Sequence, residues 1–282
     1  MAVQNSLAKS QQRLGITAYL TQDAVKNQIN NVIGGKDGQR FISAIVSAVN
    51  VNPALKECTN QSILSGALLG ESLKLSPSPQ LGQYYLVPFN DNSKGCKVAQ
   101  FQLGYKGYIQ LAIRSGQYKK LNVLAIKEGE LVKFDPLNEE IEVNLIQDEE
   151  TREKAETIGY YAMFEYNNGF RKAIYWSKSK MENHAITYSK GYKAKKGYTF
   201  WEKDFDGMAY KTMLRQLISK WGIMSIEMQS AIDADMSVIN EDGTKDYVET
   251  EVDAVDVPAQ EIKPETENKT QEAQDVASAL FG

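Results

Sequence analysis

Histidine occurs once in this 282-residue chain and cysteine twice. One histidine, His184, cannot build a multi-His metal site and leaves little room for a His-based triad. Cys58 and Cys96 are too few for a disulfide framework, and no Cys or His stands close enough in sequence to either to make a zinc site. No apolar run approaches the roughly 20 residues that span a bilayer. The start, MAVQNSLAKSQQRLG, lacks the apolar stretch of a signal peptide. The pattern G-x-x-x-x-G-K-[ST] is missing too. GGKDG and KKGYTF do not replace it, because neither has the spacing that cradles phosphates. These absences predict a reduced, cytoplasmic protein that needs no membrane, metal or cofactor and carries no centre for covalent catalysis.

Charge is plentiful but segregated. Residues 233–282 hold 14 Asp/Glu against 3 Lys, a net of −11, whereas the preceding 232 hold 29 basic and 22 acidic side chains, a net of +7. A polyanionic partner for the body and a merely solvated tail explain this equally well. Composition divides the chain into a flexible arm or oligomer contact (1–37), a folded body (38–234) and an acidic, largely disordered tail (235–282). The tail ends in DVASALFG, where Val276, Leu280 and Phe281 form a candidate docking face.

The body reads as α+β. VIGGKDGQ reads as a loop, Phe41–Val49 as a packed helix, and Thr59 as the cap of a helix over NQSILSGALLGESLKL. YYLVPF and KVAQFQL form one hairpin around NDNSKG, and IGYYAMFEY and FRKAIYW form a second around NNG. LNVLAIKEGEL is a strand. A long helix is expected over about residues 201–220, and a shorter one over about 225–234.

Three constellations could carry function. In QFQLGYKGYIQLAIRSGQYKKL, Gln100 and Gln102 share a strand face. Gly104 and Gly107 bracket a turn where backbone could approach a ligand closely. Tyr105 and Tyr108 join the apolar stripe of the helix, while Lys106, Gln110 and Arg114 fall on another face, followed by Lys119 and Lys120. In YSKGYKAKKGYTFW, Lys190, Lys193, Lys195 and Lys196 alternate with aromatics up to Trp201, a composition suited to single-stranded nucleic acid or to an ordinary exposed loop. In the long helix, Met213, Leu214, Leu217 and Trp221 face a core, and Lys211 and Arg215 stand one turn apart, where they repel unless an anion lies between them. The acids Glu202, Asp204 and Asp206 are better explained by the start of a helix than by a metal site.

GQYYLVPF, QFQLGYKGYIQLAIRSGQYK, REKAETIGYYAMFEYNNGFRKAIYW and WEKDFDGMAYKTMLRQLISKWGIMSIEMQSA together resemble the RecT family of phage and prophage single-strand annealing recombinases, over about residues 40–234. The resemblance implies a β-hairpin sheet crossed by a helix, similar to Rad-type annealing proteins. It implies ATP-independent pairing of complementary DNA strands by an oligomeric ring or filament in a bacterial host. It also implies two partners, the host single-stranded-DNA-binding protein and a phage 5′→3′ exonuclease. On this reading Lys106, Arg114, Lys211 and Arg215 hold phosphates of the first strand. Tyr105, Tyr108 and Trp201 line or stack, Gln100, Gln102, Gln110 and Lys119 belong to the same groove, and the four lysines from Lys190 to Lys196 clamp the outer strand and the annealed duplex. Lys211→Glu or Arg215→Glu should then abolish annealing without harming the fold. The rival readings are a metal-dependent nuclease using Glu202, Asp206 or the acids near Asp135, and a passive single-strand coat.

Overall fold

A computed structural model describes residues 14–246, apart from 92–93, 139, 198 and 241 and the side chains of Gly35 and Lys36. The expectations for residues 1–13, for Tyr198 and for 247–282 with its apolar tip lie outside the described residues.

Three helices open the described residues: α1 (Ile16–Leu20), α2 (Asp23–Ile33) and α3 (Gly35–Val51). Residues 14–37 are therefore no loose arm, because Leu20, Val25 and Ile29 bury in the first core. The glycine-rich stretch read as a loop begins α3 at Gly35. A 3-10 turn (Pro53–Glu57) leads to α4 (Asn60–Ser72), where Thr59 Oγ1 accepts from the Ser62 amide as the expected cap. Helix α4 is apolar nearly all round and runs through the core, burying Ile63, Leu64 and Ala67.

The first hairpin pairs β1 (Tyr84–Asp91) with β2 (Cys96–Leu103), Tyr84 opposite Leu103. It flows into α5 (Tyr105–Arg114). Strand β3 (Tyr118–Lys127) then starts a second sheet, and a small hairpin, β4 (Leu131–Asp135) with β5 (Glu140–Val143), projects from it. After α6 (Glu149–Lys154), β6 (Thr157–Tyr166) and β7 (Arg171–Ser177) complete an antiparallel sheet of order β3-β6-β7. Period-two alternation sorts β6 cleanly. Tyr160, Ala162, Phe164 and Tyr166 face the helices, while Tyr161 and Met163 face the β4–β5 hairpin.

Four helices follow: α7 (Lys178–Tyr188), α8 (Lys190–Lys193), α9 (Phe200–Lys203) and α10 (Phe205–Trp221). Helix α10 crosses the second sheet through Ala209, Met213 and Leu217 and packs its other side, Leu214 and Ile218, into the first core. It is the spine joining the two halves. Sequence periodicity reads one helix where there are two: Asp204 leaves helical geometry and its carboxylate accepts from the Gly207 amide, starting α10 afresh. Trp221, expected in the core, is 48% exposed under the ammonium of Lys172, 3.5 Å from its ring centre.

Helix α11 (Ile226–Ala234) is followed by β8 (Val238–Ile239) paired with β9 (Lys245–Asp246). The first residues of the acidic segment are therefore part of the fold. Asp235, Ser237, Val238 and Ile239 are buried, and the Phe101 and Ser237 backbones bridge β2 to this segment. Composition reads a window average and misses these apolar and paired residues at its edge.

Candidate nucleic-acid interface

The junction of β2 and α5 is built by close backbone packing. A Cβ on Gly104 would sit 2.1 Å from the Gly82 carbonyl oxygen, and one on Gly107 would sit 2.1 Å from that of Gln83. These glycines are needed, but for approach of the chain's own 82–83 backbone and not of a ligand. That contact fixes the direction in which α5 leaves the strand. Lys106, Gln110 and Arg114 then lie on its exposed face, as their spacing predicts. Lys106 lays its methylenes over Gly82 and holds its ammonium 6.0 Å from the Tyr105 ring centre. Arg114 is exposed yet committed: its guanidinium donates to the carbonyls of Leu73 (2.7 Å) and Lys74 (3.2 Å) at the end of α4. Lys119 is also exposed and pairs with Glu165, which Lys120 approaches too.

Other members of the expected set face inward. Gln100 is buried; it donates to the Met236 carbonyl at 2.6 Å and accepts from the Gln102 carboxamide at 2.9 Å. Tyr108 is fully buried, and burial pushes its phenol well above the usual range. Lys211 is 7% exposed. The anion demanded by the Lys211–Arg215 pair is present, and it is Asp235. The Asp235 carboxylate accepts from Lys211 Nζ (3.0 Å), Arg215 Nη1 (2.6 Å), the Leu103 amide (2.9 Å) and Tyr108 Oη (3.3 Å). Burial drives the Lys211 ammonium down from its ordinary value, and Asp235 pulls partly the other way. The expectation that Lys211→Glu spares the fold is thus corrected: it would bury a second carboxylate against Asp235.

Between the β1–β2 hairpin and the start of α10 lies a cavity of about 530 Å³. Tyr85, Val87 and Gln102 form one wall, Gly104 and Tyr105 the end, and Phe200, Met208 and Lys211 the opposite wall. Pro77 and Pro79 close it from the preceding loop, and Asn52 and Leu55 form part of its floor. Rings of Tyr85 and Phe200 stand 6.0 Å apart across it. Burial, then Tyr105 and Asp204, raise the Tyr85 phenol. Lys203 also lines it and is exposed. The cavity gathers Gln102, Tyr105 and Lys211 from distant parts of the expected set, with Lys106 beside Tyr85 and Gly82. Asn52 and Lys203 were missed. Asn52 stands before Pro53 and reads as a helix break, and Lys203 sits inside what reads as an acidic cluster.

Lys190, Lys193, Lys195 and Lys196 are all exposed, on α8 and the turn after it. Trp201 is not available for stacking on bases. It is 7% exposed and packs among Tyr192, Phe205 and His184. His184 is half-buried in that aromatic box, and burial lowers its pKa. Two of the acids named for a nuclease reading, and Asp204 between them, have structural partners: Glu202 closes a capping box with Thr199, Asp204 caps α10, and Asp206 accepts from Tyr160 Oη at 2.6 Å. Among the described residues no helix is long and apolar enough to cross a membrane.

The profile of the RecT family matches residues 39–253 of this chain. A Bacillus subtilis protein named "Uncharacterized protein YqaK" is 38% identical over 268 residues, which is 95% of this chain and 86% of that protein. Protein RecT of Escherichia coli is 30% identical over 224 residues, covering 78% of this chain and 80% of RecT.

Proposed function

The chain belongs to the RecT family, and on that premise we propose that it binds single-stranded DNA and anneals complementary strands without nucleotide hydrolysis. Membership supports a role in recombination and strand annealing in general. The observation that carries the finer reading is the set of exposed cations, with Lys106 on α5 and Lys203 on α9 beside the cavity and the four lysines from Lys190 to Lys196 on α8 and the turn after it. These cations neutralise phosphates, and the protein reads no base sequence, so base pairing itself tests complementarity.

A ring or filament of copies would align such cations along a strand and bring the second strand alongside. The host single-stranded-DNA-binding protein and a 5′→3′ exonuclease are the partners such a protein would meet. Mixing labelled complementary oligonucleotides without ATP tests the reading. Pairing accelerates if it is correct and slows if the chain is a passive coat, and shortened strands in the presence of Mg²⁺ would reveal a nuclease. With about five phosphates neutralised per protomer, log K falls against log[salt] with a slope of about −3.5. Lys106→Glu brings that slope about 0.7 nearer zero.

A further inference from the structure

One buried atom in the cavity has no partner. Asn52 is 6% exposed, and among the described residues its Oδ1 has no hydrogen bond, although its amide reaches the Leu86 carbonyl at 3.5 Å. A buried acceptor without a donor is costly, and native chains retain few of them. Asn52 lines the aromatic cavity, so an N–H group of a ligand seated there would meet this need. Gln102 adds a second polar group: its amide is bound to Gln100, which leaves its carbonyl oxygen as a further acceptor.

Phosphate does not fit this interior. Tyr85, Tyr105 and Phe200 make it apolar and aromatic, and the Lys211 ammonium is already held by Asp235. A ligand with a flat apolar face, N–H donors on its edge and an anionic group that stays outside does fit. The volume lies within the range of small-molecule pockets, about 300–1,000 Å³. The geometry points to a nucleobase: each protomer draws one unpaired base of the bound strand into this cavity, packed against the touching pair of Tyr85 and Phe200 rings and with its N–H edge on Asn52 Oδ1. The flanking phosphates stay at the lip, near Lys106 and Lys203, whose charge complements them. Every base carries an N–H donor, so the site tolerates sequence. This rests on the single-strand-binding reading above.

The test compares an ordinary oligonucleotide with one of equal length and charge whose bases are replaced by abasic sites, by fluorescence anisotropy on the full chain. The wild-type protein prefers the base-bearing strand by about tenfold or more. Asn52→Leu and Phe200→Leu shrink that preference while leaving affinity for the abasic strand unchanged. Asn52→Leu also keeps or raises the melting temperature, because it removes an unpaired buried carbonyl. Phe200→Leu serves only if it melts as wild type, and Asn52→Leu decides alone otherwise. Equal loss on both strands, or an unaltered preference in Asn52→Leu, overturns the base pocket. Variants that change the oligomeric state without DNA and keep the preference overturn it in favour of a neighbouring copy's side chain. If neither strand binds the wild type, the single-strand reading itself fails.

Discussion

Asp235→Asn keeps the shape of the side chain and removes its charge, which isolates what the carboxylate does at the end of α11. Four donors converge on it, two of them cationic, and its own side chain is wholly buried. Removing one partner of a buried ion pair destabilises by about 3–5 kcal/mol, since the other charge stays behind. Lys211 cannot escape to water, whereas Arg215, with 36% of its side chain exposed, rehydrates in part. For a domain of this size about 1 kcal/mol moves the midpoint by about 2–4 °C, so the variant melts roughly 6–20 °C below wild type. Circular dichroism of the full chain at pH 7 measures this. Lys211→Met added to Asp235→Asn recovers part of the loss, because the uncompensated ammonium is gone. A single variant that melts within about 2 °C of wild type would refute the hub as a stabilising centre.

Gly107→Ala pushes a methyl to 2.1 Å from the Gln83 carbonyl, and overpacking of this kind costs about 3 kcal/mol or more, visible as a lowered melting temperature. Ending the chain after Asp246 keeps the cooperative melt and single-strand binding. Ending it after Ala234 removes Asp235 and β8 and loses both, as gel filtration and melting of the two truncations will tell. Tyr84, Tyr108, Tyr118 and Tyr160 all have phenols raised above 10, by burial first. Their folded pKa values exceed the unfolded ones, so this stability is complete below pH 10 and is lost as pH climbs beyond it. Denaturant midpoints that stay flat from pH 9 to 11 would contradict this.

Local signals were the most legible. The NNG turn and the alternation along β6 specify the second hairpin, because neighbours in sequence are neighbours in space there. The spacing of Lys106, Gln110 and Arg114 gave their shared exposed face for the same reason. The i, i+4 repulsion of Lys211 and Arg215 correctly demanded an anion, but its source lay 20 residues beyond Arg215, in a stretch whose average composition reads as tail. Trp201 and Tyr108 show the reverse limit. An aromatic among lysines looks the same in sequence whether it meets a base or a core, and only tertiary packing separates the two.

The Asp235 hub also orders events in time. Its donors are made at positions 103, 108, 211 and 215, so on the ribosome the β2–α5 corner and α10 wait, with two cations facing inward, for a single acid. Domains fold from the N-terminus as they emerge, yet this one is clasped from its far end. A stalled or truncated nascent chain that stops short of residue 235 has an open clasp. Its Lys211 and Arg215 then stand side by side without the carboxylate that balances them, so the last contact of the clasp is also the one that completes the core charge balance.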